Sequence, residues 1–510
     1  MATADSTHFL LVAPPSWGHV RPTCQLALRL LDCDANIVAT VLVPPIMMAK
    51  SQAEVATHVG STAPSSRIRV LTMFELDDPN PFKHMQPFVE TFSAAYKTLR
   101  DGKVITCAAT KIAYDPVSAP VAVVIDSFLA PVMFATRALT GSSVPIVCFA
   151  TGSVLSIMRI HTPETLGGLG DFTARVAAEA ERSGETQDVA GGKLYRRTTG
   201  AIVQVPGLPS MYDHEFFPQD TSVANVVTGL LKSAQAFFEQ GDAVLLSSSY
   251  VLEREAIDAM KVWLSETKKD VYGVGPLLPA NYWGVHTDGG ATAVQVFLDA
   301  MLETHGRKSV VLISFGSFFW PAVQDYVDET ILALIEKGIP FILCHPSSRA
   351  VISSELAEKI TSSGLGVLSS WIPQHYVLTH PATGWFLTHG GQGGVTEALA
   401  SGIPLICWPI EGDQVVTSVH ASVNLGVGFE LIEVRSGDGL KPIHRLGGRA
   451  PKGTRAAMAA EIREVLDSAR GEAGAQMRTR AEEMRNELKN SWVEGGIART
   501  ELQAFVAKFK

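Results

Sequence analysis

THGGQGGVTEALASG, Thr388 to Gly402, lies between the apolar runs GWFL and IPLICWP. Apolar run, glycine cluster, helix-period segment and second apolar run make one strand–helix–strand unit, so this stretch decides the fold class. Four of the five residues from Gly390 to Gly394 are glycines. They serve either a tight turn or a ligand that approaches the backbone too closely for side chains. The spacing matches neither G-x-G-x-x-G nor G-x-x-x-x-G-K-[ST], so the dinucleotide and P-loop fingerprints are both absent.

The same alternation extends outward from this unit. The runs SVVLISFGS, IPFILC, GVLSSW and LGVGFELI accompany GWFL and IPLICWP in the second half. HFLLVAP, NIVATVLVP, RIRVLTM, VAVVID, VPIVCFA and AVLLSS occupy the first half. Short runs that are apolar on both faces suit parallel strands covered by helices. PTCQLALRLLD and FLAPVMFATRALTG, the latter stopped by Gly141, are two of the intervening helices. The expected class is α/β, with two Rossmann-like doubly wound domains facing across a cleft.

The expected division is 1–270, a linker at 271–290 rich in Gly and Pro, 291–488, and a C-terminal helical segment, 489–510, returning to the first domain. GGLGDFTARVAAEAERSGETQDVAGG reads as a mobile helical excursion. RSGDGLKPIHRLGGRAPKG reads as a flexible basic loop.

The chain of 510 residues, 46% hydrophobic and 18% charged, can bury two cores and is not of disordered composition. A net charge of -9 without a dense basic patch argues against a nucleic-acid binder. No apolar run is long enough for a membrane span, and the N-terminus lacks the basic region of a signal peptide. The six cysteines show no metal-ligand spacing, and three lie in apolar runs, as reduced core thiols do. A cytoplasmic monomer or weak dimer is expected.

Two residues at strand ends can move a proton. His19 follows the first strand in the loop PSWGHV, just before a helix expected to begin near Pro22. A helix start disfavours imidazolium and keeps the ring able to accept a proton. Asp126 ends the run VAVVID; it can orient the His19 ring or cap the helix that follows, and the two roles are compatible.

From Trp371 to Gln414 the chain reads WIPQHYVLTHPATGWFLTHGGQGGVTEALASGIPLICWPIEGDQ. This resembles the signature box of family 1 glycosyltransferases, the UDP-sugar-dependent enzymes of plant secondary metabolism. SFGS (Ser314–Ser317), GHVRP (Gly18–Pro22) and VVIDSF resemble further landmarks of that family. The resemblance implies a GT-B fold and metal-independent, inverting transfer of a sugar from UDP to a hydroxyl. It gives His19 as base and Asp126 as its orienter. It places Trp371 against uracil, Gln374 beside base and ribose, and Glu397 on the ribose hydroxyls. It assigns the diphosphate to Ser317, His389 and the backbone of Gly391, Gln392, Gly393 and Gly394. Asp413 and Gln414 would bond the sugar hydroxyls.

One departure stands out. Gln392, Gly393 and Gly394 replace the family's usual Trp-Asn-Ser, leaving backbone donors where side chains are usual. The terminal Gln414 resembles glucose users, so UDP-glucose is the expected donor, with no cofactor or metal. Asn80–Phe88, Phe128, Met158, His161 and Met211–Pro218 are expected to build an apolar acceptor pocket. A sugar-nucleotide binder without activity, or an oxidoreductase with a nucleotide cofactor, is the alternative.

Overall fold

The structure, a computed structural model, describes residues 6–59, 67–221, 224–284 and 293–509. Strands β1 (Thr7–Val12), β2 (Ile37–Leu42), β3 (Ile68–Leu71), β4 (Pro120–Asp126), β5 (Ile146–Ala150), β6 (Ala243–Leu246) and β7 (Asp270–Gly273) form one parallel sheet, in the order β7-β6-β5-β4-β1-β2-β3. Strands β8 (Val310–Ser314), β9 (Phe341–Cys344), β10 (Gly366–Ser369), β11 (Thr383–Thr388), β12 (Leu405–Cys407) and β13 (Gly428–Glu430) form a second, in the order β10-β9-β8-β11-β12-β13. Each run read as a strand is one. In the inner strands the side chains are buried on both faces, as in Phe9, Leu10 and Leu11 of β1, each such burial being worth about 1.5–3 kcal/mol, while the edge strand β10 is only part-buried.

In each sheet the first strand is central. β1 pairs with β2 on one side and β4 on the other. β8 pairs with β9 and β11. At such switch points the loops leaving the carboxyl ends of adjacent strands part and open a crevice. His19 lies in the first turn of α1, the helix that follows β1, and Asp126 ends β4. The loops after β8 and β11 carry Ser317 and His389.

The helices used below are α1 (Trp17–Cys33), α2 (Met48–Val59), α3 (Ala130–Thr140), α4 (Val154–His161), α5 (Phe172–Ser183), α6 (Gln187–Arg196), α7 (Gln392–Ala400), α8 (Asp413–Val419), α9 (Glu472–Asn490) and α10 (Ile497–Val506). α3 stops at Gly141, whose φ of 56° suits only glycine. α10 packs on β7 and α1, with Phe505 and Phe509 against Phe9 at 5.9 and 5.4 Å between ring centroids. Six cysteines are free, and all but Cys33 are buried. Among the described residues no helix is long and apolar enough to cross a membrane.

Four expectations are corrected. The segment read as a linker from Val271 begins inside β7, whose neighbours β6 and α10 cover it on the sheet. Tyr282 then pins the crossing chain, its hydroxyl donating to Glu397 O at 2.9 Å; residues 285–290 lie outside the described residues. Helix α1 starts at Trp17, not near Pro22, so His19 sits in its first turn. Pro22 is tolerated because only the Gly18 carbonyl loses a partner, and Gly18 is exposed.

The helical excursion is packed rather than mobile. α5 and α6 lie on each other and on the helix Ala224–Gln240, with Phe172, Val176 and Leu231 as a small core. The basic loop is likewise held. Arg435 and Arg445 are buried and both donate to Glu430 Oε1, at 2.8 and 2.7 Å, while His444 N donates to Glu215 Oε1 at 2.8 Å. Two acids from different lobes neutralise the arginines that made the stretch look solvated.

Candidate active site

Residues from both lobes meet in the crevice. His19 Nδ1 lies 2.8 Å from Asp126 Oδ2, and Thr151, just after β5, places Oγ1 2.7 Å from Nδ1 and 3.1 Å from Oδ2. Asp126 can only accept, so the hydrogen-bond network puts the His19 proton on Nδ1 and leaves Nε2 with its lone pair. Asp126 Oδ1 accepts from Phe128 N at 3.0 Å, so this carboxylate also holds the turn entering α3. The Phe128 ring lies 4.7 Å from that of His19. Burial works against the imidazolium. The charge and hydrogen bond of Asp126, with the charge of Asp413 from the other lobe, outweigh it and raise the His19 pKa above 6.5. An imidazole oriented by a buried carboxylate can take a proton from a hydroxyl.

The glycine cluster divides by role. Gly390 has φ 85°, and a Cβ there would meet Ser418 Oγ at 2.3 Å. A Cβ on Gly391 would stand 2.7 Å from His389 Nε2. Those two serve packing. A Cβ on Gly393 would meet nothing within 4 Å, so that glycine borders open space at the first turn of α7. First-turn N–H groups have no intrahelical acceptor and can bind an anion. The Gln392 N–H is engaged, donating to Asp413 Oδ2 at 3.1 Å. His389 is held neutral, its pKa lowered to about 4 by burial, against which a Ser314 backbone hydrogen bond acts. Ser317 is exposed in the turn beside it.

Trp371 is 55% exposed, which excludes a core role, and Lys50 of α2 stands 4.4 Å above its ring. Glu397 is buried, contrary to a solvated glutamate, and accepts from Gln374 Nε2 and from Arg21 Nη1 of the other lobe. Arg21 also donates to Glu54 of α2 at 3.1 Å. Gln414 is fully buried, and its Oε1 takes the N–H groups of Ile410 and Glu411 at 3.0 and 3.1 Å. Gln392 is buried and reaches the other lobe, Nε2 donating to Ser248 Oγ at 3.1 Å.

Sequence reasoning missed three of these residues. Arg21 sits inside the quoted GHVRP and Lys50 in ordinary helical sequence; what sets them apart, contact with Glu397 and with Trp371, lies on the other lobe. Glu253 is buried and accepts from Val154 N and Leu155 N at 3.0 and 3.1 Å, fixing the start of α4 beside Thr151. Its signal was a glutamate after SSSY, too common to single out.

The expected acceptor pocket is only partly assembled. Met158 is fully buried in the core, and His161 packs on Phe238 at 5.2 Å with its pKa lowered by burial to about 3. Phe216 and Phe217 line a narrow cavity bordered by Gly412 of the second lobe. Phe217 also walls a second cavity of about 260 Å³, with Arg196, Gln219, Asp220, Gly437 and Asp438.

Comparison with known proteins agrees with this architecture. Residues 187–436 match the family described as UDP-glucoronosyl and UDP-glucosyl transferase. A UDP-glycosyltransferase, eriJ, of Hericium erinaceus is 29% identical, with 99% of each chain covered. The (R)-mandelonitrile beta-glucosyltransferase of Prunus dulcis is 25% identical over 84% of this chain and 86% of its own. The crystal structure of Medicago truncatula UGT71G1 complexed with UDP-glucose superposes with a TM-score of 0.68 at 20% identity, covering 99% of each chain.

Proposed function

We propose that this chain, which has the two-lobed fold of the solved glycosyltransferase it superposes on, is a family 1 UDP-glycosyltransferase and moves glucose from UDP-glucose to a hydroxyl of a small hydrophobic acceptor, inverting the anomeric carbon. His19 Nε2 takes the hydroxyl proton, the oxygen attacks the anomeric carbon, and UDP departs from the opposite face. Asp126 stabilises the imidazolium that forms. The diphosphate rests on His389, Ser317 and the N–H groups of Gly393 and Gly394, preorganised donors aimed at the charge that develops on the leaving group. Trp371 and Gln374 take the base, Glu397 the ribose, and Asp413 with the Gln414 amide the sugar. No metal is needed in this arrangement.

The observation that carries the reading is the His19–Asp126 pair, 2.8 Å apart, facing Asp413 of the opposite lobe closely enough for that charge to act on the imidazole. A sugar-nucleotide binder has no use for an oriented base. The test is UDP release from UDP-glucose with a simple phenol. His19→Ala is expected to lose roughly 10²–10⁴-fold in turnover, the worth of a general base, while still binding UDP by calorimetry. Undiminished transfer by that variant overturns the mechanism.

A further inference from the structure

A glutamine of the first lobe is buried against the second. Gln219, between β5 and β6 in the chain, is 2% exposed, and both ends of its carboxamide are used. Nε2 donates to Pro409 O at 2.8 Å, and Oε1 accepts from Ala322 N at 3.0 Å. Reversing the amide would set donor against donor and acceptor against acceptor, so its orientation is fixed. Pro409 belongs to the loop after β12, and Ala322 to the loop after β8 that bears Ser317. One side chain of the first lobe therefore joins two loops of the second.

The segment around Gln219 is anchored on both sides. Ser436 N donates to Pro218 O, and Asp220 N to Ser436 Oγ, each at 2.9 Å. Thr221 Oγ1 donates to Glu411, which pairs with Arg196 of α6 at 2.9 Å. A cavity of about 260 Å³ adjoins Gln219, so on that side hydrogen bonds rather than packing hold the segment. The loop it grips leads to Gln414. Pro409 is followed by Ile410 and Glu411, whose N–H groups hold Gln414 Oε1 and leave the Gln414 amide nitrogen as the donor for a sugar hydroxyl.

We propose that Gln219 is a positioning residue for sugar selection. From the first lobe, through Pro409 and the backbone of Ile410 and Glu411, it fixes the Gln414 carboxamide that tells one UDP-hexose from another. The inference rests on the transferase reading above and deepens it: sugar choice belongs to the two lobes joined, not to the second alone. Gln219 touches neither the sugar nor the reacting atoms, and the acceptor proton still goes to His19.

The experiment compares wild type, Gln219→Met, Gln414→Ala and the double variant. Affinity for UDP is read by calorimetry, and kcat/KM for UDP-glucose and UDP-galactose with a simple phenol by mass spectrometry. Gln219→Met keeps the length of the side chain and removes both hydrogen bonds. It is expected to move the glucose-to-galactose ratio roughly 10-fold towards one while UDP affinity changes by about 2-fold at most. Gln414→Ala should move the ratio at least as far, and adding Gln219→Met to it should move it no further, because one residue acts through the other. Thr221→Val, which loses only the hydroxyl bond to Glu411, should shift the ratio the same way by less, and it carries the test if Gln219→Met does not fold. A ratio unmoved in the folded variant while Gln414→Ala moves it overturns the proposal, as do additive effects in the double variant. A wild type that does not distinguish the two donors overturns it without any variant. If Gln414→Ala leaves the ratio unchanged, or His19→Ala transfers normally, the parent reading fails first.

Discussion

At residue 19 three influences compete, and their balance sets how the protein would respond to pH. Burial and a place in the first turn of α1 favour the neutral ring; Asp126 and Asp413 favour the imidazolium and prevail, so the pKa lies above 6.5. In the proposed mechanism the neutral ring acts as base, so kcat/KM is expected to fall as pH drops through that raised value. Asp126→Asn removes the charge and an obligatory acceptor. Its acid limb should move to lower pH while its plateau falls, because the ring is no longer confined to one tautomer. An acid limb unchanged in that variant, followed across the pH range with one acceptor, would separate the limb from His19.

At the scale of the strand–glycine–helix element, the question is which glycines the fold needs and which a ligand needs. Gly391 cannot carry a side chain without displacing the His389 ring, whereas Gly393 can. In the helix, Gly393→Ala should be neutral or stabilising by about 0.5–1 kcal/mol, since alanine loses less backbone freedom on folding. The same variant should weaken UDP binding, because the new methyl group enters the open space before the helix terminus. Calorimetry for affinity and thermal unfolding for stability distinguish the two. Equal UDP affinity in Gly393→Ala would reduce the cluster to a turn.

Across the whole molecule, the two lobes are joined through the residues expected to hold the nucleoside. Arg21 donates to Glu397, and Lys50 covers Trp371, so an entering ribose and base must displace two cations of the first lobe. Arg21→Gln should therefore tighten UDP binding several-fold by removing the competitor for Glu397, as read by calorimetry. Weaker binding would instead make Arg21 a donor contact in its own right. The lobes are held elsewhere as well. Val415, Val416 and Val419 of α8 belong to the first lobe's core, and Trp492 Nε1 donates to Pro276 O at 2.7 Å.

What the amino-acid order determined by itself was local and periodic. Two-sided apolar runs suited buried parallel strands, and the placement of Asp126, Ser317 and His389 at or just past strand ends followed from that, with His19 in the helix turn after the first strand. The long ordered match from Trp371 to Gln414 is a string of neighbours in sequence, so it too was legible. What remained for the tertiary structure were pairings between residues far apart in the chain. Arg21 with Glu397, Gln392 with Ser248 and Arg445 with Glu430 and Glu215 owe their partners to how the lobes and their loops dock. A basic loop reads as solvated until the acids that bury it are known, and β7 reads as linker until the sheet beside it is built. Hydrophobic period is written along one element; charge compensation is decided between elements.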